Sequence, residues 1–264
     1  MPVSNKPVVL ITGVSGGIGK ATARLFAANG WLVVGTVRVV RGKIAARIDV
    51  QPAEMTRPAD LARVVHHIEL KHGRLDALVC NAGYALVGPL DTLGYSQMRD
   101  QLATNVLAPA ELTRLALPLL VKSSGTAVAV SSIVGRTGLP GYSLYAASKH
   151  ALEGLYESLA LEYAAGLVRF KLVEPSGVNT AFWTSIKRGT GRPSAAGTSG
   201  RLDTEPISAH HNLTAEQVAM VIYRAACDKG FKLRYPVGYT WRLDLAKRLL
   251  PGRLYRHLLH RFII

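Results

Sequence analysis

Residues Val8 to Gly19 read VVLITGVSGGIG, an apolar run followed at once by a glycine-rich turn. A short apolar run rich in β-branched residues is typical of a strand buried on both faces of a parallel sheet. Residues 18–28 continue with helical spacing, and residues 31–37 form a second apolar run. Strand, glycine turn, helix and strand in close succession form a βαβ unit.

The alternation of strands and helices continues along the chain. Apolar runs predict further strands at 75–80, 126–130, 169–173 and 232–237. Periodic segments predict helices at 57–71, 145–164 and 215–228, and one long helix or two at 96–120. This alternation predicts an α/β, doubly wound, Rossmann-like fold with a single parallel sheet of about seven strands and helices on both faces. We expect one catalytic domain over residues 1–264, with ligands bound beyond the carboxyl ends of the strands.

The glycine-rich turn suits a phosphate group. Gly13 permits a tight turn, Gly17 lets the backbone approach a pyrophosphate, and Gly19 lets the helix pack closely on the sheet. The N-terminus of the following helix adds free N–H groups and a partial positive charge. We therefore predict that a dinucleotide contacts five residues here: Gly13, Ser15, Gly17, Ile18 and Gly19.

The end of the second strand distinguishes the two nicotinamide dinucleotides. NAD sites place a carboxylate there for the ribose 2′-hydroxyl, whereas NADP sites use arginine for the 2′-phosphate. The sequence continues Thr36-Val37-Arg38 and has no acid before Asp49. Because Arg38 attracts a phosphate that a carboxylate would repel, NADP(H) is the predicted cofactor.

Tyr145 and Lys149 are four residues apart in a predicted helix, so they share one face of it. A free tyrosine has a pKa of about 10, too high for a base near neutral pH. A cation about 4 Å away, at an effective dielectric constant of about 20, would lower that pKa by about three. Lys149, helped by the positive ring of oxidised nicotinamide, is therefore expected to bring the pKa of Tyr145 into a usable range.

Polar residues follow two strands of the predicted sheet, and another interrupts an apolar helix. Asn81 comes directly after the strand at 75–80, and Ser132 lies just past the strand at 126–130. Asn105 lies inside an otherwise apolar helix and needs a hydrogen-bonding partner there. These residues and Tyr145 are expected to meet at the carboxyl edge of the sheet.

In this order and spacing, the motifs resemble those of the short-chain dehydrogenase/reductase family, from about Pro7 to the end. The resemblance implies that residues 12–19 form the nucleotide-binding loop and that Asp49 and Val50 contact the adenine. It also implies that Asn81, Ala82 and Gly83 are the family's motif that follows the strand at 75–80. Its catalytic tetrad corresponds to Asn105, Ser132, Tyr145 and Lys149. Its nicotinamide-lining stretch corresponds to residues 175–180, with contacts from Pro175, Val178 and Thr180.

The resemblance, together with the chemistry of these side chains, implies their roles. Tyr145 is the general acid or base that exchanges a proton with the substrate oxygen. Ser132 hydrogen-bonds the same oxygen, and Lys149 lowers the tyrosine pKa and holds the nicotinamide ribose. Asn105 supports a water-mediated proton path to Lys149. The implied activity is hydride transfer between NADP(H) and a carbonyl or alcohol.

Residues 139–145 and 151–159 and the tail around Arg234 are similar to the branch that contains 17β-hydroxysteroid and retinol dehydrogenases. This implies a hydrophobic ketone, aldehyde or alcohol as substrate. Five residues are the candidate substrate contacts: Ser132, Leu139, Tyr142, Tyr145 and Trp183. Ser176 stands where the family usually has glycine, which predicts a differently shaped backbone near the nicotinamide.

Two segments fall outside the alternating pattern. Residues 182–211 are rich in small residues and too long for an ordinary connection, so they predict a substrate lid. Residues 239–264 form a basic amphipathic helical extension. Packing against protein is the preferred interpretation of this tail, either over the cleft or across a subunit, and contact with an anionic membrane is the alternative.

The net charge of +15 raises the question of anionic partners. No nucleic-acid recognition motif accompanies the charge, so nucleic-acid binding is not expected. The resemblance implies a homodimer or homotetramer through the helices at 96–120 and 145–164. A catalytically silent, redox-sensing NADP(H)-binding regulator is the alternative function, although the four residues of the tetrad argue against it.

The remaining features concern location and metals. The first seven residues lack the apolar core of a signal peptide, and no stretch approaches the roughly 18 apolar residues of a membrane span, so a cytoplasmic protein is expected. Cys80 and Cys227 are expected to be reduced thiols in the core. No metal site is predicted.

Overall fold

The computed structural model describes residues 5–40, 47–163, 166–180, 182, 186–191 and 213–262. Within this part of the chain the strands are β1 Val8–Thr12, β2 Leu32–Val37, β3 Ile48–Pro52, β4 Ala77–Cys80, β5 Leu86–Val87, β6 Thr126–Val130, β7 Arg169–Pro175, β8 Lys187–Arg188 and β9 Arg234–Val237. The α-helices are α1 Gly17–Ala28, α2 Pro58–His72, α3 Tyr95–Leu102, α4 Ala108–Ser123, α5 Ser143–Glu162, α6 Ala215–Cys227, α7 Thr240–Leu249 and α8 Gly252–Phe262.

Seven strands form one parallel sheet in the order β3-β2-β1-β4-β6-β7-β9. Alternate residues of a strand point to opposite faces, so both faces of this apolar sheet must be covered. On one face Val9 and Ile11 of β1 pack with α1 and α6, and on the other Val8 and Leu10 pack with α2, α4 and α5. The α/β, doubly wound, Rossmann-like fold predicted from the sequence is confirmed.

The direction of the strands determines where a ligand site forms. Every pair in the seven-stranded sheet is parallel, so β1, β4, β6 and β7 all end at the same edge. The chain order reverses between β1 and β4, with β2 and β3 on one side and β6 and β7 on the other. Such a switch point opens a crevice at the carboxyl edge of the sheet.

Some local features differ from the sequence expectation. The edge strand β3 was not predicted, because its sequence IDVQP mixes polar and apolar residues. The segment at 96–120, expected to form one long helix or two, forms α3 and α4, and the π-helical turn between them, Ala103–Leu107, was not predicted. Cys80 is buried as expected, but Cys227 is exposed, because it lies on the last, outward-facing position of α6.

The proposed lid lies partly within the described residues. The short strand β8 pairs in parallel with β5 and forms a separate two-stranded sheet that the sequence did not predict. The N–H of Gly191 donates to the carbonyl oxygen of Thr92 at 2.9 Å, so this part of the segment is fixed to the domain. Residues 183–185 and 192–211 of the proposed lid, which was predicted over 182–211, lie outside the described residues.

Helix α2 provides a matched test of how burial stabilises the fold. Leu61 is 1% exposed and Leu70 is 75% exposed, and both lie on this helix. Leu61→Ala should lower the free energy of unfolding by about 2–5 kcal/mol, because it leaves a cavity in the core. Leu70→Ala should change it by no more than about 0.5 kcal/mol. Urea denaturation measures both, and equal effects would contradict this packing.

Candidate active site

The turn between β1 and α1 brings backbone atoms unusually close together. Gly13 and Gly17 adopt positive φ angles of 74° and 50°. A Cβ at Gly19 would lie 2.2 Å from the carbonyl oxygen of Gly13, so no larger residue fits there. Gly16 precedes α1 and provides no side-chain cap, and the first turn of α1 carries no acid. The helix N-terminus therefore offers its N–H groups and its partial positive charge to an anion.

A set of hydrogen bonds fixes this turn to the next strand. The hydroxyl of Thr12 accepts from the backbone N–H groups of Asn81 and Ala82, each at 2.9 Å. The side-chain amide of Asn81 donates in return to the carbonyl oxygen of Thr12 at 2.9 Å. The ends of β1 and β4 are thereby held together at the floor of the crevice.

The crevice is a cleft of about 950 Å³ that runs across the carboxyl edge of the sheet. Most of the predicted cofactor contacts line it: Gly13, Ser15, Gly17, Ile18, Arg38, Asn81, Ala82, Gly83, Tyr145, Lys149, Pro175, Val178 and Thr180. Gly19 instead packs beneath the turn, against Gly13 and Asn81.

The structure does not bring Asp49 and Val50 to the cleft. The carboxylate of Asp49 faces α2, where it contacts His67 Nε2 at 2.7 Å and Lys71 Nζ at 2.8 Å. Although partial burial opposes ionisation, hydrogen bonds from these partners lower the pKa of Asp49 to about 2. Glu54 and Met55, which the sequence analysis missed, line the cleft in their place. Because of the way β3 pairs with β2, the residues that line the cleft lie five positions further along the chain than Asp49 and Val50, the pair that matches the family motif.

Asn105 lies in the π-helical turn between α3 and α4 and is 1% exposed. Its side-chain nitrogen donates to the carbonyl oxygen of Tyr84 at 3.0 Å and to Ser148 Oγ at 3.1 Å. Its side-chain oxygen accepts from the N–H of Tyr84 at 3.2 Å. Asn105 therefore connects the segment after β4 to helix α5, and its partners are protein groups.

Lys149 and Tyr145 lie one turn apart near the start of α5, and both are buried. Lys149 Nζ donates to the carbonyl oxygen of Val130 at 2.7 Å and lies 5.8 Å from the centre of the Tyr145 ring. Burial lowers the pKa of Lys149 to about 8, although the carboxylate of Glu153 opposes this change. Burial raises the pKa of Tyr145 to about 12, partly opposed by a hydrogen bond with Ser132. Desolvation therefore outweighs the lowering that the sequence analysis expected from Lys149.

The opposite end of the cleft is lined mainly by aromatic and aliphatic side chains, with Lys187 beside them. Ser132, Tyr142 and Tyr145 line it as predicted, together with Phe182, whose ring centre is 6.1 Å from that of Tyr145. Leu139 is buried in the cluster behind this wall and does not line the cleft. Trp183 lies outside the described residues. Tyr84 also lines this end of the cleft. It directly follows the motif Asn81-Ala82-Gly83, and this position in the sequence could have identified it as a lining residue.

Comparison with known proteins identifies the family. A family model described as short chain dehydrogenase matches residues 7–191.

The chain belongs to the short chain dehydrogenase family.

Its relatives include proteins of similar length. The uncharacterized oxidoreductase YbbO of Escherichia coli K12 is 33% identical over 258 residues, covering 93% of this chain and 91% of YbbO. The NADPH-dependent 3-dehydrocapnine reductase of Ornithobacterium rhinotracheale is 31% identical, and the match covers 93% of each chain. Human 17-beta-hydroxysteroid dehydrogenase type 1 is 35% identical over 69% of this chain and 60% of the human enzyme. The predicted resemblance to the family is confirmed.

Solved structures of short-chain dehydrogenases have the same fold as this chain. A short-chain dehydrogenase from Streptomyces avermitilis superposes with a TM-score of 0.82 at 26% identity, covering 98% of this chain and 96% of that one. The protein ElxO, solved with NADP bound, gives a TM-score of 0.73 at 28% identity over 89% of this chain and 98% of ElxO. This short chain dehydrogenase is therefore an oxidoreductase of a family that binds nicotinamide cofactors.

A substitution at Gly19 tests the close backbone packing of the glycine-rich turn in this dehydrogenase. Gly19→Ala should weaken binding of a nicotinamide dinucleotide about tenfold or more, because the added Cβ pushes the turn away from the helix N-terminus. Gly154→Ala is the matched control, since a Cβ there meets nothing within 4 Å. The control should bind normally. Titration of NADPH and NADH by fluorescence, with circular dichroism to check the fold, measures both. A folded Gly19→Ala protein with unchanged affinity would contradict the close packing described above.

Proposed function

We propose that this protein transfers a hydride between NADP(H) and a hydrophobic ketone, aldehyde or alcohol, with Tyr145 as the general acid or base. One observation carries the proposal. Ser132, Tyr145 and Lys149 meet in a single cleft that also contains the glycine turn and Arg38. One ligand can therefore extend from an anion-binding turn to a buried phenol.

The residues of the cleft fit a nicotinamide dinucleotide. The uncapped N-terminus of α1 suits the pyrophosphate, and the apolar contacts of Met55 suit an adenine ring. Val178 and Thr180 line the part of the cleft between the turn and Tyr145, where the nicotinamide would lie. When bound, that group supplies or accepts the hydride.

Arg38 supports NADP(H) over NAD(H). Its exposed guanidinium follows the last residue of β2 and lines the cleft near Thr36. An arginine at this position can bind the 2′-phosphate through charge-assisted hydrogen bonds. Glu54 also lines this end, but its carboxylate accepts from the N–H and the hydroxyl of Thr56, each at 3.4 Å. The NADPH-dependent relative and the NADP complex of ElxO are consistent with the same preference.

The electrostatics of Tyr145 favour its acid role. A phenol whose pKa is raised to about 12 is protonated at neutral pH, and it can donate that proton to a carbonyl oxygen as hydride reaches the carbon. Ser132 is within hydrogen-bonding reach of the same phenol and can orient the substrate oxygen. Lys149, anchored on Val130, supplies positive charge beside the phenolate that results.

An apolar carbonyl compound suits the substrate end. Ile133, Val134 and Phe182 line the cleft there, next to Tyr142 and Tyr145. Burial of the apolar part of a substrate against these residues would contribute about 25 cal/mol per Å². The names of the reductase and steroid relatives, given above, point to hydrophobic ketones as the first compounds to test.

Tyr145→Phe tests the acid role. Removal of the hydroxyl should lower kcat by about 10²–10⁴-fold, because proton transfer to the substrate oxygen is lost, while the Kd for NADPH stays nearly unchanged. Tyr142→Phe removes a phenol from the same cleft and should affect mainly KM. NADPH oxidation is followed by absorbance against long-chain, steroid and cyclic ketones. Substantial residual activity of Tyr145→Phe would refute this assignment, and wild-type protein that binds NADPH without any turnover would favour a silent regulator.

Arg38→Ala tests the cofactor preference. Loss of charge-assisted bonds worth about 1.5–3 kcal/mol should raise the KM for NADPH roughly tenfold to a hundredfold and leave that for NADH nearly unchanged. Arg114→Ala is the control, because Arg114 pairs with Glu111 on the surface of α4. Steady-state kinetics with both cofactors measures the ratio. A wild-type kcat/KM for NADH that equals that for NADPH would overturn the preference.

A further inference from the structure

Helix α7 carries an apolar stripe that faces away from the domain. Trp241, Leu245 and Leu249 recur every four residues and are 51%, 48% and 71% exposed. Residues spaced in this way lie on one face of a helix. Leu254 of α8, which is 50% exposed, adds a further apolar side chain. Large apolar residues grouped on an outward face mark a contact surface.

Cations surround this stripe. Arg242 and Arg248 lie on α7, and Arg253 and Arg256 lie on α8, all exposed. The guanidinium of Arg242 is 5.4 Å from the centre of the Trp241 ring. Asp244 is the only acid in the sequence from 240 to 262, and its two oxygens pair with Arg136 and Arg248. The exposed residues of α7 and α8 are therefore mainly apolar or positively charged.

The opposite face of the two helices is attached to the domain. Leu243, Tyr255 and Leu259 are buried in the same apolar cluster as Tyr145. Tyr255 Oη donates to Thr137 Oγ1 at 2.9 Å, and Asp244 holds Arg136 at 2.7 Å. Because α7 and α8 are anchored in this way, the exposed stripe has a fixed orientation and is not available to fold back into the core.

We propose that the outward face of α7 and α8 docks on the surface of a lipid bilayer that contains anionic lipids. Apolar side chains between cations are the composition of helices that lie in the interface, with the apolar residues among the acyl chains and the cations at the headgroups. No helix among the described residues has the length and apolarity to cross a bilayer, so the contact is peripheral.

Charge favours a lipid surface over a second copy of this chain. In a two-fold symmetric dimer the same surface meets itself, so Arg242, Arg248, Arg253 and Arg256 would lie against a surface that carries the same four cations. No acid other than Asp244 is present on these helices to neutralise them. An anionic bilayer attracts all four arginines at once, and the net charge of +15 adds to the attraction.

The position of the surface relates it to the cleft. The helices that would contact lipid are those that cover the apolar cluster around Tyr145. A membrane-dissolved carbonyl compound would then be presented close to the substrate end, a consequence that rests on the proposed function. Docking itself does not depend on catalysis and is tested separately.

Sedimentation with vesicles tests the docking. The full-length protein is mixed with vesicles of phosphatidylcholine alone or of equal parts phosphatidylcholine and phosphatidylglycerol, at low and high salt. It should cosediment with the anionic vesicles, and less so at high salt. The double variant Trp241→Ser, Leu245→Ser should reduce the partition coefficient at least about tenfold. Reversing two charges with Arg242→Glu and Arg248→Glu should have a similar effect.

Two control variants match these changes. Leu70→Ser with Leu161→Ser removes two leucines that are each 75% exposed, outside this surface. Arg24→Glu with Arg224→Glu reverses two exposed cations on α1 and α6. Both controls should bind vesicles like the wild type, and thermal unfolding verifies that every variant is folded. Absence of binding to anionic vesicles, or binding that the α7 variants leave unchanged, would overturn the proposal. So would dissociation of an oligomer by those variants without any effect of lipid, since the face would then cover a second copy.

Discussion

The site depends on one hydrogen bond, from the buried ammonium of Lys149 to the carbonyl oxygen of Val130 at 2.7 Å. A buried cation needs a partner, and Val130 is the last residue of β6. The bond therefore fixes α5 over the end of that strand. Because Tyr145 lies one turn before Lys149 and Ser132 lies two residues after Val130, the same contact sets the phenol beside the serine hydroxyl. The carboxylate of Glu153, one turn later on α5, supports the charged form of the lysine.

The second support of the site is the π-helical turn that contains Asn105. A continuous helix from 95 to 123 would be the simplest structure for this sequence, but the wider turn directs Asn105 inward. There it accepts a hydrogen bond from the N–H of Tyr84, donates to the carbonyl oxygen of Tyr84 and donates to Ser148 Oγ on α5. The segment after β4 and helix α5 are thus held together by one side chain. Turns of this kind are frequent at functional sites, because they change the direction of a side chain without ending the helix.

Local signals explain what could be predicted from the sequence. The apolar run before the glycines predicted the fold, and the spacing of Tyr145 and Lys149 predicted residues of the cleft. Both could be predicted because each pattern involves residues that are close together in the chain. The adenine end was not predictable in this way. The dipeptide Asp49-Val50 matches the family motif in residue type. However, Val37 at the end of β2 pairs with Pro52, so Ala53 and Glu54, and not Asp49 and Val50, lie at that end of the strands. Burial, which the sequence does not state, likewise raises the pKa of Tyr145, whereas Lys149 and the ring of oxidised nicotinamide were expected to lower it.

The two ends of the cleft differ in how the chain builds them. The end that contains the glycine turn consists of the segments that follow β1, β2, β3 and β4, each close to the end of its strand. The other end brings together Ile133 after β6, Phe182 and Lys187, which are far apart in sequence. Helices α7 and α8 do not line it but pack in the apolar cluster behind it, so its shape depends on long-range packing. The family match over residues 7–191 includes the first end completely and excludes those helices. A nicotinamide-binding fold is thus what this chain shares with its family, whereas the helices packed behind the other end of the cleft lie outside the matched segment.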